Sequence, residues 1–205
     1  AGQDIDSKVR TQKWKISGYD KRLVPVGGVY NFFADRFLKK AQSSGQNLCA
    51  ITGGTRNGFW YCNSNATFDS TSAMAGSSVW FIDGDLTIKK NLTIGVADSV
   101  TFIVRGNITV ETGVDRVDGL YVTNGTFSDY DPLAGKAGRQ LVINGGVYAR
   151  TVNLGRILGG TLCPSGTQCN NSQTAAVKLV YDPKYLLGLN TVLGSPDLDW
   201  REVAP

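Results

Sequence analysis

The chain has 205 residues, of which 41% are hydrophobic and 19% charged. That apolar content excludes disorder, and a chain of this size can bury roughly 70% of its unfolded surface without a metal or a dense disulfide framework. It contains 25 Gly and 6 Pro, with two Glu against fifteen Asp, a balance that favours a turn-rich β protein. There is no His, which removes Ser/His/Asp and Cys/His catalysis, His-ligated zinc and the usual proton shuttle near neutral pH.

Residues 1–40 hold nine Lys/Arg and four Asp, net +5 within a chain of net +4. The basic residues Lys8, Arg10, Lys13, Lys15, Lys21 and Arg22 are interspersed with Asp4, Asp6 and Asp20. This mixture reads as a solvated polar arm rather than a nucleic-acid surface, so no nucleic-acid partner is predicted. Trp14, Ile16, Leu23, Val24 and Val26 alternate weakly, as extended segments do, with turns at Ser17-Gly18 and Gly27-Gly28. Residues 29–42 differ. Tyr30, Phe33, Ala34, Phe37, Leu38 and Ala41 fall at i, i+3, i+4, i+7, i+8 and i+11, one apolar stripe on a helix. Lys39 and Lys40 suit the last turn, and Gly45 is a plausible stop.

From residue 59 the sequence repeats. Phe59-Trp60-Tyr61-Cys62-Asn63-Ser64-Asn65-Ala66-Thr67-Phe68 aligns with Val79-Trp80-Phe81-Ile82-Asp83-Gly84-Asp85-Leu86-Thr87-Ile88. The pattern returns from Thr101, Leu120 and Gln140, with pivots at Ser64, Gly84, Gly106, Gly125 and Gly145, spaced by 20, 22, 19 and 20 residues. A fixed period near 20 predicts a solenoid. Equivalent residues should then stack about 4.8 Å apart along the axis, one strand spacing per coil. Two buried columns are expected: Ala66, Leu86, Ile108, Phe127 and Val147; and Tyr61, Phe81, Ile103, Val122 and Val142. Asn63, Asp83, Arg105, Asn124 and Asn144 should form a corner, where Asn and Asp tolerate left-handed backbone angles. The row Trp60, Trp80, Phe102, Tyr121 and Leu141 should point to the opposite face. Helix 29–42 is expected to cover it with Tyr30, Phe33 and Phe37; the alternative is a sugar-stacking contact surface.

After residue 150 the period decays into a Cys loop, a strand over 176–181 and a short turn-like Lys184-Tyr185-Leu186-Leu187. The four Cys form two local pairs, Cys49 with Cys62 and Cys163 with Cys169. Disulfides, free buried thiols and a four-thiolate metal site are the open alternatives, although neither pair has the short knuckle spacing of zinc sites. An even Cys count without His leans towards an oxidising, extracellular or cell-surface location. No stretch approaches the roughly 18 apolar residues of a membrane span.

The runs Ile82-Asp83-Gly84-Asp85-Leu86-Thr87-Ile88, Val104-Arg105-Gly106-Asn107-Ile108-Thr109-Val110 and Gly119-Leu120-Tyr121-Val122-Thr123-Asn124-Gly125-Thr126-Phe127 resemble coils of secreted bacterial β-solenoid proteins. Leu179-Val180-Tyr181-Asp182-Pro183, followed by Trp200-Arg201-Glu202-Val203, resembles the C-termini of type IV pilus-associated assembly proteins. The resemblance spans roughly residues 79–205 and implies a surface or appendage role, with no catalytic residue. Members of that group join the solenoid to an amino-terminal membrane helix. This sequence shows no such helix, as in a cleaved ectodomain or a protein outside the pilin-like group.

Candidate chemistry is sparse. Asp83 with Asp85 and Asp129 with Asp131 are close acids of the kind glycosidases use, but acids two apart around a bend more often serve the corner. Arg105 should pair with Asp83 on the coil below. Calcium at Asp129, Asp131, Asp115 or Asp118 competes with the reading of solvated loop acids, and no cofactor is predicted. Asn65, Asn91, Asn107 and Asn124 begin glycosylation-type triplets, three of them at corner-adjacent repeat positions where structure alone explains them.

The reading is therefore a mainly β protein: a short right-handed parallel β-helix of about five coils, its hand taken from the usual hand of crossovers. Residues 1–58 are an N-terminal arm with the amphipathic capping helix, 59–159 the coils and 160–205 a C-terminal cap. The expected function is an extracytoplasmic structural or adhesive subunit, not an enzyme, working through self-association or envelope and appendage partners. The alternative is a carbohydrate-binding or polysaccharide-cleaving module that contacts glycans.

Overall fold

A computed structural model describes residues 28–43, 47–158, 171 and 174–193. The expected arm over residues 1–26, Cys163, Cys169 and Trp200 lie outside the described residues. In chain order the elements are α1 (Gly28–Ser43), β1 (Ala50–Ile51), β2 (Gly54–Thr55), β3 (Gly58–Cys62), β4 (Ala66–Phe68), β5 (Met74–Ala75), β6 (Ser77–Ile82), β7 (Leu86–Ile88) and β8 (Ser99–Val104). Then follow β9 (Ile108–Val110), β10 (Arg116–Ser128), β11 (Ala137–Gly138), β12 (Leu141–Asn153), β13 (Ile157–Leu158), β14 (Val177–Val180) and α2 (Lys184–Leu193).

The strands wind into a parallel β-solenoid. On one side β3, β6, β8, residues 120–123 of β10 and 146–149 of β12 stack as five parallel rungs. On a second side β1, β4, β7, β9 and the ends of β10 and β12 stack in the same sense. The third side is more broken. It holds β2 with β5, single bridges at Met74–Ile94 and Leu92–Val117, and the pairing of β10, β12 and β14.

The period is real, but the last step differs from the sequence alignment. Trp60 pairs with Trp80, Trp80 with Phe102, Phe102 with Tyr121 and Tyr121 with Val147, spacings of 20, 22, 19 and 26 residues. The expected stacking of Val147 above Phe127, and of Gly145 above Gly125, is therefore corrected. Val152 sits above Phe127, Gly145 above Gly119 and Val142 above Arg116. The cause is residues 129–140, which turn the corner between β10 and β12 where only 111–115 separate β9 from β10.

The facing of the aromatic row is corrected as well. Trp80, Phe102 and Tyr121 point into the solenoid and are fully buried with Ile82, Val104, Leu86, Ile108 and Phe127. Trp60 stacks on Trp80 at 5.1 Å, and Phe102 on Tyr121 at 5.6 Å. The neighbouring row points outwards, with Val79, Phe81, Ile103, Leu120 and Val122 forming a second core beneath α1 and α2. Helix α1 thus covers a solenoid face as expected, but the Phe81 face, with Phe37 stacked on Phe59 at 5.9 Å.

The start of α1 is fixed from outside the helix. The Tyr30 N–H donates to Asn124 Oδ1 of the fourth rung at 2.8 Å, satisfying an otherwise orphan donor. Helix α2 caps itself: Asp182 Oδ1 accepts the Lys184 N–H at 3.0 Å, and Pro183 stands where its missing N–H costs nothing. The turn expected over 184–187 is in fact the first part of this helix.

Candidate functional site

The expected contact surface of Trp60, Trp80, Phe102 and Tyr121 is not one: the last three have no exposure, and only Trp60, in the first rung, reaches the surface. Because α1 and α2 cover the outer face, both faces of this side are apolar, and alternation alone cannot tell inside from outside.

The acids are committed to structural bonds. Asp85 Oδ1 accepts the Asn107 N–H at 2.6 Å, within a ladder in which Asn65 serves Asp85 N (2.9 Å) and Asn107 serves Thr126 N (2.9 Å). Asn91 does the same for Asp115 N at 2.7 Å. Each amide or carboxylate holds the next rung up, which accounts structurally for all four glycosylation-type Asn once Asn124 is counted at α1. Asp118, fully buried, is held by Arg116 at 2.7 Å and by the Ile94 N–H at 3.0 Å. Asp115 pairs with Arg139 at 3.1 Å, and Asp131 closes its own turn through Leu133 N at 2.9 Å. Among the described residues no three His, Cys, Asp or Glu gather into a metal-ligating group.

Asp83 pairs with Arg105 on the next rung at 2.9 Å. The same carboxylate accepts the hydroxyls of Tyr30, from α1, and Tyr61, while Arg105 lies over the Tyr30 ring at 4.9 Å. This cluster pins α1 to the solenoid. Burial, and then donation to Asp83, raise the pKa of both phenols above the ordinary 10.0. A phenol whose folded pKa is raised stabilises the fold fully below the unfolded value of 10.0 and loses that contribution as pH climbs towards the folded value. Denaturation midpoints are therefore expected to fall more steeply above pH 10.0 in the wild type than in Tyr30→Phe. Parallel alkaline profiles would remove Tyr30 as the source.

Of the four candidate cysteines, the structure joins two: Cys49 and Cys62 form a disulfide. Cys62 belongs to the inward row beneath Ile82, so the bond staples the segment before β1 across the first rung. The second expected pair has no counterpart among the described residues, because Cys163 and Cys169 both lie outside them. The disulfide reading therefore stands on Cys49 and Cys62 alone.

Sequence reading missed Arg156, which is almost fully buried. It donates to the carbonyls of Asp129 (2.9 Å), Val114 (2.6 Å), Arg139 (3.0 Å) and Glu111 (2.9 Å). Burial pulls its pKa down to about 10, still charged at neutral pH. The Asp129 carboxylate in turn accepts the N–H groups of Gly155 and Arg156. An Arg next to Gly after a strand carries no periodic signal that could have marked it.

The two ends of the solenoid differ, and the difference defines the candidate site. At the first rung the disulfide and β1 close the interior. At the last, β14 pairs only with residues 141–144 of β12, and no described strand covers 145–153. Inward residues there lose their cover: Val152, directly above the fully buried Phe127, is 49% exposed. Tyr148, Leu179 and Tyr181 are exposed beside it. A cleft of about 300 Å³ opens next to this edge between the two helices, lined by Val29, Phe32, Leu120, Tyr148, Leu186 and Leu189.

Fold and edge together define a β-solenoid whose last rung, among the described residues, is only partly paired. No protein-family model, curated protein or solved structure matches the chain. Among the described residues no helix is long and apolar enough to cross a membrane.

Proposed function

We propose that this protein is an extracytoplasmic structural or adhesive subunit that builds a cell-surface or filament-type assembly. The observation that carries this reading is the last rung, where no described strand pairs with residues 145–153 of β12 on its outer edge. A row of backbone donors and acceptors without a described partner, beside the half-exposed Val152, is the kind of edge that can template another chain and that solenoids normally cap. Five hydrogen-bonded rungs supply a stiff body on the order of 20–25 Å long, and Asp83, Asp85, Asp118 and Asp129 each tie part of that body together. The Cys49–Cys62 bond is compatible with an oxidising compartment.

The test is the size and shape of the full chain across a concentration series, by light scattering and negative-stain electron microscopy. A discrete ring or polymer that grows with concentration is expected. A strictly monomeric globule at every concentration would remove the reading.

A further inference from the structure

Along the outward face of the solenoid, Val79, Thr101 and Leu120 stack in one column and Phe81, Ile103 and Val122 in the next. In the fifth rung the first column continues as Gly146 and the second as Tyr148, so no side chain stands above Leu120. The gap lies where both helices begin. Helix α1 starts against Asn124, and α2 starts with the Tyr185 ring against Gly145. Missing side chain and diverging helix ends together leave the cleft of about 300 Å³. We propose that this cleft binds a single-chain anionic amphiphile, its acyl chain between α1 and α2 and its carboxylate beside Arg36. The proposal goes beyond the assembly reading and does not depend on it.

The lining sets the class of ligand. Every residue around the cleft is aliphatic or aromatic, from Val29 and Phe32 on α1 to Leu186 and Leu189 on α2. The body of a ligand seated there gains burial and finds almost no hydrogen bonds, so it has to be a hydrocarbon. At roughly 30 Å³ for a group the size of a water molecule, 300 Å³ holds on the order of ten methylene-sized groups. That is a medium-length acyl chain.

The rim sets the charge of the head group. Arg36, one turn after Phe32, leans its guanidinium back over that ring at 4.5 Å, which places a cation at the wall of the cleft. Among the described residues no carboxylate lies within salt-bridge distance of Arg36, so its planar fork is free to take one. The opposite end has the opposite sign. A second cleft of about 240 Å³ shares Leu120, Tyr148 and Leu186 with the first and is bordered by Asp182. An anionic head is disfavoured beside that carboxylate and favoured beside Arg36, which fixes the direction of the chain. Bound in this way, the amphiphile bridges α1, α2 and the fifth rung.

Calorimetric titration of the full chain tests this with three probes that share one decyl-length chain: sodium decanoate, decanol and decyltrimethylammonium, each below its micellar or solubility limit. Decanoate is expected to bind one to one and tighter than decanol by roughly two- to fivefold, the size of one exposed ion pair, with the ammonium weakest. Raising the salt should weaken decanoate alone. Arg36→Gln, on an exposed side chain, should bring decanoate down to the affinity of decanol and leave decanol unmoved. Val29→Trp fills the cleft from its rim and should abolish binding of all three. Phe32→Ser, on a residue already 38% exposed, spares the core and should weaken all three. Equal affinity for the three probes, or decanoate binding indifferent to Arg36→Gln, overturns the anionic assignment and with it the proposal. A wild type that binds none of them, binds many per chain, or binds unchanged in Phe32→Ser overturns the site itself. Assembly is read separately by light scattering, so neither failure touches that reading.

Discussion

Replacing Arg156 by methionine is expected to lower the thermal midpoint by on the order of 10 °C. The guanidinium is 4% exposed and bridges four stretches of chain: Glu111–Val114 after β9, Asp129 after β10, Arg139 before β12, and its own segment. Methionine keeps much of the apolar stem but strips hydrogen bonds from at least four carbonyls around a side chain that is almost fully buried. It also removes the positive charge that compensates the fully buried Asp129 carboxylate, which keeps its two backbone N–H donors. Removing one partner of a buried charged network costs about 3–5 kcal/mol, a large share of the stability of a domain this size. Arg156→Lys should recover little, because three donors on a flexible stem cannot reproduce the planar fork. Because the network closes the 129–140 corner, trypsin should cut after Lys136 and Arg139 much faster in Arg156→Met. Equal melting and equal proteolysis would mean that the carbonyls find other partners and that the corner does not depend on this residue.

How far the sequence discloses this architecture follows from what each residue has to satisfy. The solenoid period was legible because Gly84, Gly106 and Gly125, with the flanking apolar residues, recur wherever a coil must pass the same corner. The Asp83–Arg105 pair and helix α1 were legible for a related reason: both follow from spacing along one chain. The facing of the Trp80 row needed a finer reading. Two residues beyond Trp60, Trp80 and Phe102 stand Cys62, Ile82 and Val104, all apolar; two beyond Tyr61, Phe81 and Ile103 stand Asn63, Asp83 and Arg105, all polar. A row that stays apolar into the corner is the inward one, and that contrast is present in the sequence. Helix α2, expected only as a turn over 184–187, carries its signal in Asp182-Pro183, an N-cap followed by a residue suited to the first helical turn. The register of the last rung was hidden, because the inserted corner of 129–140 shifts it while Gly145 still imitates the repeat. Arg156 and the open edge lay beyond sequence reading altogether, since each is defined by which backbone groups lack partners, a property of the assembled coils.

A second large effect is expected at the glycine corner, for a reason other than backbone freedom. Gly84, Gly106 and Gly125 do not have the positive φ of Gly119 or Gly145, so conformational freedom does not select glycine there. What they lack room for is a Cβ. At Gly106 it would stand 2.9 Å from the Gly84 carbonyl oxygen and closer still to Asp85 Oδ1. At Gly125 it would lie 2.5 Å from the Gly106 oxygen. Neither neighbour can yield cheaply. The Gly106 N–H bonds to the Gly84 oxygen at 3.0 Å, and Asp85 Oδ1 holds Asn107 N, so relief means parting two rungs at a point where the ladder ties them. Gly106→Ala should therefore destabilise the protein by about 2–3 kcal/mol, lowering the thermal midpoint by roughly 5–10 °C. Gly113→Ala is the matched control: it lies in a turn, has no positive φ and meets nothing within 4 Å. It should be neutral or stabilise slightly by restricting the unfolded chain. If both substitutions melt together with the wild type, the corner is looser than its hydrogen-bonded ladder requires, and close stacking at Gly106 does not set the spacing of the coils.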